Sequence, residues 1–303
     1  MSTPTTPPAF DASAYDPAAV PPRPAPPTPP ASGGKVVALV VAVIGGVALL
    51  GTAIGSGVAA ARGAFSVDET LTAAAAGVTS LDIDASGASF AIAYGDVDAA
   101  VLEVTNADDG WRVSRDGGEL TVDRRDGFFR GWWFGGDWFG GDWFDDEQTV
   151  VLTLPERLKG AGLDVDLSLS GGSLTAEGDF GEVDAEVGAG YLSLDGSAAS
   201  LEVDLSAGQA DLALADVAEA GFTVAAGRLD AELTGDAPAE VTVDVSAGSL
   251  DLVLPDETYA VRSDVSAGDF DNRLDVESSS PREISVQVAA GDATLRPGGA
   301  SAR

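Results

Sequence analysis

Val243-Asp244-Val245-Ser246-Ala247-Gly248-Ser249-Leu250-Asp251-Leu252 decides the fold. Apolar and charged residues alternate on both sides of a small Ser-Ala-Gly phrase. Alternation of period two marks a strand with one buried and one wet face. The phrase marks a tight corner, where glycine is free to take positive φ. The pattern recurs around Gly172, Gly190, Gly208, Gly227, Gly268 and Gly291, so the seven glycines stand 18, 18, 19, 21, 20 and 23 residues apart. A period near 20 is the signature of a repeat array, in which each unit buries its apolar face only against its neighbours.

The columns agree. Three residues before each glycine stand Leu169, Val187, Leu205, Val224, Val245, Val265 and Val288. Two after it stand Leu174, Leu192, Ala210, Leu229, Leu250, Phe270 and Ala293. Four after it come Ala176, Leu194, Leu212, Ala231, Leu252, Asn272 and Leu295. The sequence therefore predicts an all-β chain: a β-solenoid (β-helix) of about seven turns, stacked in sequence order at ~4.8 Å.

Upstream, residues 80–160 read as a more irregular start of the same domain, capping the array. Strands are predicted at Ser80-Asp84, Ala99-Thr105, Trp111-Ser114, Glu119-Asp123 and Thr149-Leu154. Ala85-Ser86-Gly87 resembles the repeat phrase but slips by about one residue.

Before the β domain lie three segments. Residues 1–34 hold eleven of the sixteen prolines and read as a disordered, extended tail; the sharper alternative is a docking site for a proline-binding module. Residues 36–61 carry no charge between Lys35 and Arg62. As a helix they span about 39 Å, enough to cross a hydrocarbon core of roughly 30 Å. We read 35–62 as a retained transmembrane helix, against the alternative of a cleaved signal near Ala59-Ala60-Ala61. Arg23 and Lys35 on one side, against Arg62 on the other, place the tail in the cytoplasm and the β domain outside. Residues 63–79 read as a linker, and 298–303 as a short tail.

Composition narrows the chemistry. The 49 acidic residues against 16 basic ones argue against nucleic acid as a partner, which needs a basic footprint. Without cysteine or histidine, disulfides, thiolate sites and histidine-dependent catalysis are excluded. No carboxylate spacing selects a catalytic pair, so the chain is read as a non-enzyme.

Two features are candidate sites. The first is the insertion 127–148, with nine of the twenty aromatics: Phe128, Phe129, Trp132, Trp133, Phe134, Trp138, Phe139, Trp143 and Phe144. Glycines interrupt it, so it reads as a long loop. It either folds on the domain flank, meets the membrane interface, or binds a protein or glycan partner. The second is the ladder Asp211, Asp230, Asp251 and Asp271. In register, its carboxylates repel, and structural calcium would relieve the repulsion; the bland reading is a solvated acidic face. Asp204, Asp244 and Asp264 form a sparser ladder.

Tail, membrane helix and Ser-Ala-Gly repeats together resemble the bacterial putative-adhesin family of unknown function. The resemblance covers about residues 80–297, including Thr149-Val150-Val151-Leu152-Thr153-Leu154-Pro155. It implies a β-solenoid on a single-pass envelope protein of actinobacterial type, and offers no catalytic residues to carry over. It implies an adhesin-like binding or scaffold role at the cell envelope. The alternative is an envelope-stress sensing or regulatory component signalling through the N-terminal tail, since related domains sit beside phage-shock-type regulators.

Overall fold

The computed structural model describes residues 69–105, 110–124 and 148–298. The tail 1–34, the apolar segment 35–62 and the nine loop aromatics lie outside them. Among the described residues no helix is long and apolar enough to cross a membrane.

The described chain is all-β, joined in one eighteen-stranded sheet. Its first part contains β1 (Glu69–Ala73), β2 (Ser80–Asp84), β3 (Ala88–Gly95), β4 (Ala100–Thr105), β5 (Trp111–Asp116), β6 (Glu119–Arg124) and β7 (Thr149–Pro155). The repeats follow as β8 (Leu163–Leu169), the continuous β9 (Gly172–Ala215), β10 (Glu219–Val224), β11 (Arg228–Thr234), β12 (Glu240–Val245) and β13 (Ser249–Leu254). The chain ends with β14 (Thr258–Val265), β15 (Asp269–Asn272), β16 (Asp275–Val276), β17 (Glu283–Val288) and β18 (Asp292–Pro297). Every strand expected from the sequence forms. β1 is an addition, inside the stretch read as linker. Its Glu69-Thr70-Leu71-Thr72-Ala73 alternates, and it pairs antiparallel with β4.

From β8 onward the ladders are parallel, and they keep register apart from one shift between Leu163 and Val165 where β8 meets β9. Leu201, Ala220, Val241 and Ile284 align across β9, β10, β12 and β17. Leu212, Ala231, Leu252 and Leu295 align across β9, β11, β13 and β18. All eight are buried. The alternation in the sequence thus becomes an alternation of burial, and the apolar columns form one continuous core.

The glycines form a column of their own. A Cβ on Gly190 would stand 2.6 Å from the Gly172 carbonyl oxygen, one on Gly227 2.8 Å from that of Gly208, and one on Gly248 2.6 Å from that of Gly227. Positive φ is required at Gly172, Gly190 and Gly208 but not at the four later corners. There the reason for glycine is space, because successive backbones stack too closely for a side chain.

One expectation is overturned. The last repeats do not stack in sequence order. β12 and β13 pair with β17 and β18, and these pair with β14 and β15. The Gly291 repeat therefore lies between the Gly248 and Gly268 repeats. The side chains give the reason. Ser263 and Asn272 occupy inward positions, in register with Val286 and Leu295. A polar inward pair is tolerated at the end of a stack, where it meets water, and is costly inside it. The start is reordered likewise: β2 lies between β6 and β8, and β3 between β7 and β9. Ala88, not Gly87, aligns with Gly172, which is the one-residue slip seen in the sequence.

Candidate functional site

Because the inward positions are apolar, the outward ones carry the chemistry, and in-register pairing sorts them into rows. On the strand before each corner, Asp82, Asp166 and Asp184 lie side by side. Glu202 and Asp204 follow close by, since both face Asp184. Next in this row is Gly221, opposite Glu202. Its missing side chain opens a shallow groove lined by Glu182, Ser200, Glu202, Glu219, Glu240 and Thr242. The Glu202 carboxylate lies over Gly221, where a Cβ would collide with it. Glu219, Glu240 and Glu283 form a neighbouring acidic row.

The strand after each corner carries the predicted ladder. Asp211, Asp230 and Asp251 are direct neighbours. Asp271 is not the fourth: Thr294 intervenes, paired with Asp251 on one side and Asp271 on the other. The reordered last repeats break the row. The sparser ladder is interrupted too, by Thr223 between Asp204 and Asp244 and by Gln287 between Asp244 and Asp264.

Three carboxylates of the predicted ladder already have partners. Tyr191 donates its hydroxyl to Asp211 at 2.7 Å, and Gln209 donates its amide to the same group at 3.1 Å. The Arg296 Nε donates to Asp251 at 2.7 Å, and Arg273 pairs with Asp271 at 2.6 Å. Asp230 lies between Asp211 and Asp251. Burial, with those two neighbours adding, pushes its carboxyl above the ordinary range against the opposing pull of Arg228 and Arg296. Among the described residues no group of three or more acidic side chains converges as a metal cage would. The rows are spaced, not convergent, so they are expected to respond to ionic strength rather than to one cation. Sodium chloride should raise Tm, and calcium at equal ionic strength should add little. A calcium-specific rise would contradict this.

Several carboxyls share the shift. Asp82, Asp184, Asp195, Glu202 and Asp230 are raised mainly by burial, with acidic neighbours adding; Glu103 is raised by burial alone. Exposed Glu283 is lowered, by its hydrogen bond to Arg262. A raised carboxyl binds its proton more tightly folded than unfolded. Its penalty is present at neutral pH and is relieved as pH falls through its folded-state range. Stability is therefore expected to rise on acidification from pH 7 toward the carboxylate range. A Tm that falls steadily over that window would refute the assignment.

The aromatic insertion is framed by a contact that sequence reading missed. Trp111 pairs across its ladder with Arg124, the last described residue before the insertion. Its indole Nε1 donates to Oε1 of Gln148, the last residue of the insertion, at 2.7 Å. Phe90 packs on Trp111 with ring centroids 5.9 Å apart. Arg124 and Gln148 are thus held together on the core through Trp111. The only available signal was Trp111 itself, the one tryptophan outside the insertion.

No family model matches this sequence, and no curated protein matches it. Among solved structures, a putative cell adhesion protein from Clostridium sporogenes aligns with 76% of this chain and 98% of that one, at 9% identity and a TM-score of 0.32. So distant a likeness carries no argument about fold or function.

Proposed function

We propose that the chain is a membrane-anchored protein of the cell envelope with an adhesin-like binding or scaffold role, its strands wound as a β-solenoid with two strands per turn. The glycine column and the in-register parallel offsets support the winding. The observation that carries the binding role is the set of outer rows. They carry short runs of carboxylates, such as Asp211, Asp230 and Asp251, at a spacing of about 4.8 Å, which suits an extended or repetitive partner better than a small molecule. Their acidity disfavours anionic partners. Anchoring rests on the uncharged run 36–61, with the tail cytoplasmic and the β domain outside.

The aromatics from Phe128 to Phe144 are the proposed contact residues; in the sequence they lie between Arg124 and Gln148, both of which meet Trp111. The test uses the full chain in detergent micelles, beside a variant lacking 128–144, to capture material from envelope extracts. The intact chain is expected to retain a protein or glycan that the deletion loses. Equal retention by both, or none by either, would remove the aromatic stretch from the site and turn attention to residues 1–34.

A further inference from the structure

Among the described residues, the last repeat in the stack ends in an open edge. β14 pairs with β17 on one side, where Ala260 and Ser266 donate their N–H groups to Arg282 and Val288. Alternation then turns the N–H and C=O groups of Val261, Ser263 and Val265 to the other side. There β16 pairs only with Thr258 and Tyr259, its Glu277 neighbour donating to the Tyr259 carbonyl at 2.9 Å. Among the described residues no strand fills the slot from Val261 to Val265, between β16 and the Ser266-Ala267-Gly268 corner and centred on Ser263. Among the described residues, the large apolar side chains standing exposed are Val265 (39%) and Val276 (56%). Both belong to this end.

The slot's sequence is complementary to itself. Laid antiparallel against a second copy about a two-fold axis at Ser263, Val261 meets the other copy's Val265 on the inward side. Arg262, which pairs with Glu283 of its own chain at 2.8 Å, also meets the other copy's Asp264 on the outward side, an opposite-charge cross-strand pair. Parity also fits: positions 261, 263 and 265 all direct backbone groups at the partner, so 263–263 and 261–265 are hydrogen-bonded pairs. Charges of one sign would repel a second copy; this edge carries both, in self-complementary order.

We propose that β14 is a homotypic docking edge, and that its occupant is the β14 edge of a second copy of this chain. The interface is isologous, each copy contributing Val261 to Val265. Followed through the pairings, β1 and β14 lie at opposite ends of the paired strands, so the edge is remote from β1. That such pairing joins copies on facing surfaces rests on the envelope reading above; the pairing itself does not.

The absence of native cysteine makes the test direct. In the full chain in detergent, Ser263→Cys places two thiols opposite each other at a Cα separation of about 5.5 Å, inside the disulfide range. Mild oxidation is expected to convert most of the chain to crosslinked dimer. Arg262→Cys and Asp264→Cys each lie about 8 Å from their own copies and should stay monomeric alone. Mixed in equal parts, they should crosslink as a heterodimer. Arg262→Asp should abolish the Ser263→Cys crosslink, and adding Asp264→Arg should restore it. A monomeric Ser263→Cys, whether the edge is empty or held by another partner, would overturn the proposal. So would equal crosslinking at all three positions, which would be random collision. Neither result depends on whether residues 128–144 capture envelope material.

Discussion

Gly248→Val is expected to cost about 3 kcal/mol or more, lowering Tm by roughly 10 °C. Gly248 sits at a corner between two stacked repeats. A Cβ there would lie 2.5 Å from Val224 Cγ1, 2.6 Å from the Gly227 carbonyl oxygen and 3.0 Å from the Gly227 nitrogen. Two of these atoms are backbone and cannot rotate away. Relief requires the repeats to separate, which would break hydrogen bonds such as Ser249 N–H to the Gly227 carbonyl at 2.9 Å. The neighbouring Ala247 is exposed, so Ala247→Ser should change stability by no more than about 0.5 kcal/mol. Thermal melts of the two variants measure the contrast. Equal melts would mean that the glycine column is not closely stacked.

Leu295→Asn is expected to be at least as damaging, at about 3–5 kcal/mol. Leu295 is fully buried, aligned with Leu252 on one side and Asn272 on the other. An amide there loses the packing against Leu252, and its neighbour Asn272 already spends its side-chain oxygen on the Leu274 N–H. The reciprocal Asn272→Leu should cost only about 1 kcal/mol, for the hydrogen bond from the Leu274 N–H to its side-chain oxygen at 3.0 Å. The pair tests the order of the repeats. Were they stacked in sequence order, Asn272 would be interior and Leu295 terminal. Asn272→Leu would then stabilise, and Leu295→Asn would be mild. Urea unfolding of the two variants separates the cases by sign.

Much of this was legible before any coordinates. Corner spacing and period-two alternation located the strands, because both are local consequences of backbone geometry. Burial followed as expected along columns such as Leu212, Ala231 and Leu252. Two features were not legible in the same way. The order of the last repeats is set by a comparison between distant residues: Ser263 and Asn272 against Val286 and Leu295. The polar pair is visible in the columns, but its consequence appears only when one asks which repeat can face water. The ladder inherited that error, since its fourth member was placed by sequence order and Thr294 stands in the gap. The Trp111–Gln148 hydrogen bond bridges 37 residues. It depends on β5 and β7 being brought to one end of the core, which no local pattern encodes.

The stacking order itself is the central claim, and paired cysteines in this cysteine-free chain test it most directly. Asp251→Cys with Thr294→Cys places thiols on adjacent, in-register strands. Asp271→Cys with Thr294→Cys does the same on the other side. Asp251→Cys with Asp271→Cys places them two strands apart, about 9.6 Å, beyond the reach of a disulfide. The account predicts intramolecular disulfides in the first two variants and free thiols in the third. A disulfide between positions 251 and 271, with none between 251 and 294, would contradict it.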